Sequence, residues 1–160
     1  MTEPSCSPGV ASLRSALQWQ QQAQAGTPDL FRDVWRVSRC AARTLLSWRA
    51  PHRTVLAALL YPFFHLNLEP RQHLEQNFDL HALRMAAELL EWHQGSLVFN
   101  SQLMTEQVER IFSFRLRRLY RRAYLDLPGL EFTLLLMAYH DASLRLMREG
   151  REDPSLSLII

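Results

Sequence analysis

At 160 residues, 48% of them apolar and 21% charged, the chain is long enough to bury a core without disulfide or metal support and too hydrophobic to be disordered along most of its length. Its longest apolar stretches, Val55 to Tyr61 and Phe132 to Tyr139, fall far short of the roughly 18 residues that span a bilayer, so no transmembrane helix is expected. A formal net charge of +2 does not by itself imply nucleic acid, and all eighteen basic residues are arginine.

Residues 1–11 read as a flexible leader with no basic start, apolar middle or small-residue cleavage site, so a cytoplasmic protein is expected. Cys6 and Cys40 cannot make a disulfide framework, and Cys40 suits a core position. With five glycines and no Asn-Gly or Asp-Gly hairpin signal, the expectation is an all-α fold. It is read as one helical bundle of six or seven helices over residues 12–150, followed by an apolar tail over 151–160.

Ser12 to Ala25 suits an amphipathic helix that Gly26 stops, and Thr27-Pro28-Asp29 starts the next. That second helix carries Phe31, Val34, Trp35, Ser38, Ala41, Ala42 and Leu45 on one face and runs to about Trp48. A third spans Pro51 to about Tyr61, where Pro62 is expected to end it. Glu69-Pro70 opens a short helix through Asn77. Asp79 caps another, with Leu80, Leu83, Ala86, Ala87 and Leu90 expected inward.

Gly95 to Ser101 reads as a loop before a helix from about Gln102 to Arg122. A last helix runs from near Pro128 to Gly150. Phe132 to Tyr139 is apolar nearly all round, which marks this helix as the most enclosed, with Leu134, Met137, Ala138 and Asp141 inward. Asp141 is then expected to pair with Arg36, Arg39 or Arg43. His52, His65, His73, His81 and His93 lack metal-ligand spacing and read as caps or surface groups. Trp35, Trp48, Trp92 and Phe64 read as core or core-edge aromatics.

Arg115-Leu116-Arg117-Arg118-Leu119-Tyr120-Arg121-Arg122 packs five positive charges into eight residues. Arg115, Arg118 and Arg122 share one side of a helix and could contact an anion such as RNA, a ribosomal surface or a nucleotide phosphate. A solvated face balanced by Glu106, Glu109 and Asp126 is the simpler alternative.

The helix order and the wording Ala57-Ala58-Leu59-Leu60-Tyr61-Pro62, His73-Leu74-Glu75-Gln76-Asn77-Phe78 and Ala138-Tyr139-His140-Asp141 resemble the N-terminal hydrolase domain of the RelA/SpoT family, over roughly Asp29 to Glu149. That resemblance implies an HD-type helical bundle. In active members a His-Asp pair, an upstream His and a later Asp hold manganese that activates a water against the 3′-pyrophosphate of (p)ppGpp. Carried over, the pair falls on Tyr61 and Pro62, the supporting acidic pair on His65 and Leu66, and the upstream His on Val37 or a neighbour. The later Asp falls on His140 or Asp141. A phenol and a proline do not replace imidazole and carboxylate.

The wording is similar to the degenerate hydrolase domain of the ribosome-associated synthetase, which implies a pseudo-hydrolase that regulates by contact, without metal or other cofactor; in that subgroup the domain is attached to a synthetase, whereas this chain is expected to stand alone. The partners so implied are a protein, the guanine nucleotide ppGpp, or RNA and the ribosome. The alternatives are a phosphohydrolase using displaced ligands such as His65, His140 and Asp141, and an RNA-binding protein using the Arg115 to Arg122 face.

Overall fold

The computed structural model describes the backbone of residues 8–96 and 127–149 and the side chains of 11–93 and 131–146. Its elements are α1 (Pro8–Ala25), a single 3₁₀ turn (Asp29–Phe31), α2 (Arg32–Ser47), α3 (His52–His65), α4 (Arg71–Asn77), α5 (Leu80–Ser96) and α6 (Leu127–Glu149). Every described element is helical, as the glycine-poor sequence implies. The leader ahead of Pro8, the expected Gln102 to Arg122 helix, the arginine face at Arg115, Arg118 and Arg122, and the tail over 151–160 lie outside the described residues.

The most enclosed helix is α3 rather than α6. Every residue from Thr54 to Phe63 is buried, because α1, α2, α5 and α6 all pack around it. A helix that is apolar on all sides is stable in water only when other helices cover every side, and α3 satisfies that condition. On α6 the buried stripe is Glu131, Leu135, Leu136, Ala138, Tyr139 and Ala142. It is turned by about one residue from the expected one, which leaves Leu134, Met137 and Asp141 half-buried. A one-residue offset rotates a helix face by about 100°, so apolar composition without a clear polar stripe fixes the facing poorly.

On α5 Leu83 and Ala86 are buried as expected, but the face turns the opposite way: Ala82, Met85 and Leu89 are also buried, while Ala87 and Leu90 are half-buried and Leu80 is 47% exposed. Asp79 does cap this helix: its Oδ1 accepts from the Ala82 backbone N–H at 3.0 Å, satisfying one donor of the first turn. On α2 the expected face is largely found, with Trp35, Ser38, Ala41, Ala42 and Leu45 buried. Trp48 is 42% exposed and Cys40 is half-buried at the core edge.

Pro51 and Pro70 stand just ahead of α3 and α4, each with extended backbone, and their carbonyls take the first helical hydrogen bonds. Pro62 does not end α3 as expected, since the helix continues through it to His65. The termination arrives one turn later by a different device. Asn67 takes the left-handed conformation at φ 51° while Leu68 N–H donates to the Phe63 carbonyl. Arg49 does the same after α2 at φ 57°, with Ala50 N–H donating to the Leu45 carbonyl. Both are left-handed C-terminal caps that satisfy the last helical carbonyls.

Candidate functional site

Proline in a helix interior leaves the carbonyl four residues earlier without its backbone donor. Here that carbonyl belongs to Ala58, inside the bundle, and an unpaired buried carbonyl costs about 1–3 kcal/mol. Two hydroxyls from neighbouring helices supply the missing donors: Ser38 Oγ of α2 at 2.7 Å and Tyr139 Oη of α6 at 2.6 Å. Gln20 Nε2 of α1 donates to the next carbonyl, Leu59, at 2.6 Å and to Ser38 Oγ at 2.9 Å. Three helices are therefore tied to the one irregular turn of α3. Gln20, Ser38 and Tyr139 were not singled out as a group by sequence reasoning, although a proline four residues after Ala58 signals an orphaned carbonyl.

Tyr61 stands next to that turn, 4% exposed. Its hydroxyl lies 3.1 Å from His65 Nδ1, one turn further along α3, and 2.6 Å from His93 Nδ1 on α5. The edge of one ring meets the face of the other between Tyr61 and Tyr139, with centroids 4.9 Å apart and planes at 73°. His65 and His93 thus meet at Tyr61; His65 is exposed, as expected of a surface group, while His93 is half-buried. Sequence spacing signals only the Tyr61–His65 pair, four residues apart; the arrival of His93 depends on how α5 crosses α3.

Burial sets the electrostatics of this cluster by disfavouring charge. It raises the Tyr61 phenol well above its ordinary value. It lowers the His65 imidazole. His93 is brought down to about 4 by burial and then by the adjacent His65. Near neutral pH the three groups are uncharged. Tyr61 has one proton to donate, so one of its two contacts is O–H to imidazole and the other has the imidazole N–H as donor. Tyr139, fully enclosed, is also raised by burial.

The remaining expected site residues stand elsewhere. Pro62 is buried beside Tyr61. His140 is half-buried on α6, and the α6 residue whose ring meets Tyr61 is Tyr139, not His140 or Asp141. Asp141 is 40% exposed and pairs with Arg145 at 3.2 Å within its own helix. The expected pairing of Asp141 with an α2 arginine is therefore corrected: Arg36 bonds Asp33 and Arg39 bonds Gln24. The turn of α6 that carries Tyr139 inward carries Asp141 outward. Val37 and Leu66 pack as partly buried apolar residues at the core edge.

A buried carboxylate joins the other end of α3 to α6. Glu131, 4% exposed at its side chain, accepts from Arg53 through both carboxylate oxygens, at 2.8 and 2.5 Å, and lies 3.2 Å from His81 Nε2 on α5. The hydrogen bonds from Arg53 to Glu131 hold the guanidinium pKa above its usual value. Among the described residues no three His, Cys, Asp or Glu side chains gather where they could share a metal ion. Comparison with known protein families, curated proteins and solved structures finds no match to this chain.

Proposed function

We propose that this chain is a catalytically inactive HD-type helical domain, similar to the pseudo-hydrolase domain of (p)ppGpp synthetases, that works as a regulatory or binding module in alarmone signalling. One observation carries the reading. The position that the resemblance assigns to a metal-binding His-Asp pair is occupied by Tyr61 and Pro62, and the Tyr61 hydroxyl is already engaged by His65 and His93. A neutral buried phenol and a proline offer no donor set for a hard cation such as manganese. What remains is a helical bundle that can present surfaces to a protein partner or a guanine nucleotide.

The decisive experiment incubates the purified protein with ppGpp and manganese and follows pyrophosphate release, alongside equilibrium binding of ppGpp and GTP. No release above the metal-free control is expected, and manganese-dependent turnover would overturn the reading. The alternative with His65, His140 and Asp141 as displaced ligands gains no support from geometry in which Asp141 bonds Arg145 and the α6 ring beside Tyr61 is Tyr139 instead of His140. An RNA contact through Arg115, Arg118 and Arg122 rests on residues outside the described part of the chain.

A further inference from the structure

Two imidazoles from different helices converge on one phenol oxygen. His65 approaches from the last turn of α3 and His93 from the second half of α5, each through Nδ1. Hydrogen bonds are directional, so both rings aim an Nδ1 axis at the Tyr61 hydroxyl, which brings two imidazole nitrogens to one phenol oxygen. In a tetrahedral metal site with bonds of about 2.0–2.1 Å, neighbouring donor atoms stand roughly 3.3–3.4 Å apart. The Tyr61–His65 separation of 3.1 Å is already close to that spacing. The Tyr61–His93 separation, 2.6 Å, needs to open by less than about an ångström.

We propose that Tyr61 Oη, His65 Nδ1 and His93 Nδ1 form a binding site for one divalent cation of the zinc or copper class, with its fourth position open to solvent beside His65. Imidazole nitrogen suits zinc and copper, and a site without carboxylates disfavours manganese and magnesium. The site is thus distinct in chemistry from the manganese site that the sequence resemblance implies in active relatives; it shares the Tyr61 contacts with the regulatory reading, which manganese-dependent turnover would overturn, whereas absence of copper and zinc binding would overturn this one. His65 is exposed, which gives the cation a path from solvent.

The rings are supported from behind. Tyr139 packs edge-on against Tyr61 at 4.9 Å and against His93 at 6.2 Å, limiting how far either can turn. The proton balance is simple. Each imidazole binds through Nδ1 with its single proton on Nε2, so the ring whose Nδ1–H donates to Tyr61 in the metal-free protein first moves that proton to Nε2, while the Tyr61 O–H gives its proton to solvent and ligates as phenolate. Metal binding therefore releases one proton per cation.

The test titrates the chelator-treated full chain with copper(II) and with zinc(II), by calorimetry and absorption spectroscopy. We expect one equivalent of copper to bind with a phenolate-to-copper charge-transfer band, and zinc to compete for the same site and erase the band. His65→Asn, at an exposed position, should weaken binding at least about tenfold. Tyr61→Phe should abolish the band while circular dichroism stays that of a folded helical protein. The proposal is overturned if one-equivalent binding is absent, if copper binds without the phenolate band, or if binding is unchanged in both variants, which would put the metal on surface histidines such as His52 or His73.

Discussion

Pro62 and Ala58 are four residues apart in α3, and the hydrogen bond that Pro62 cannot give to the Ala58 carbonyl is replaced by Tyr139 at 2.6 Å and Ser38 at 2.7 Å. The irregular turn is thus stable only as part of the assembled bundle. Tyr139→Phe removes one of the two donors with little change in shape and should cost about 1–2 kcal/mol, measured by urea unfolding. Adding Ser38→Ala should cost more than the sum of the single changes, since the carbonyl then loses both donors. In a Pro62→Ala background the backbone N–H returns, and the loss from Tyr139→Phe should shrink. Equal losses in both backgrounds would show that the hydroxyl does not compensate for the proline.

His93 makes the stability of the metal-free protein depend on pH. Burial, and then the adjacent His65, bring its imidazole down to about 4 in the folded chain, against about 6.5 for a free side chain, so the unfolded state takes the proton first. The contribution is fully present above about pH 6.5 and is lost as the pH falls towards 4, amounting to about 3 kcal/mol at most. His93→Gln, which keeps a polar group facing Tyr61, should flatten the dependence of the urea midpoint between pH 7.5 and 4.5. A variant that loses stability on acidification as steeply as the parent would remove His93 from this role.

Glu131 is a buried carboxylate held by a partly exposed arginine. Arg53→Met removes both hydrogen bonds of its strongest partner, leaving only His81, and should destabilise the fold by about 2 kcal/mol. This is below the range for a fully buried pair because Arg53 is 43% exposed at its side chain. Replacing Glu131 by methionine as well should recover most of the loss. By contrast, Asp141→Ala breaks an exposed pair one turn long and should change stability by less than about 0.5 kcal/mol.

The two left-handed caps differ in what occupies them. Arg49 at φ 57° strains its Cβ against the following backbone, whereas Asn67 at φ 51° is a residue type that tolerates this region. Arg49→Gly should raise stability by about 0.5–1 kcal/mol, and Asn67→Gly should change it less. Thermal melts of the two single variants compare them directly. A larger gain at Asn67 would contradict the assignment of strain.

The sequence by itself determined the helical class, most helix boundaries and the cap at Asp79, because these depend on residues within one or two turns of each other. It also determined that Ala58 would lose its helical donor, since Pro62 stands four residues later. Only the tertiary structure decided that Ser38 and Tyr139 would replace that donor and let α3 run on to His65. The same assembly decided that His93 would meet His65 at Tyr61, and that Tyr139 instead of Asp141 would face inward. Each of these depends on the rotation of one helix against another. In apolar stretches such as Phe132 to Tyr139, where no polar stripe marks the outer side, that rotation is set by packing against α2 and α3.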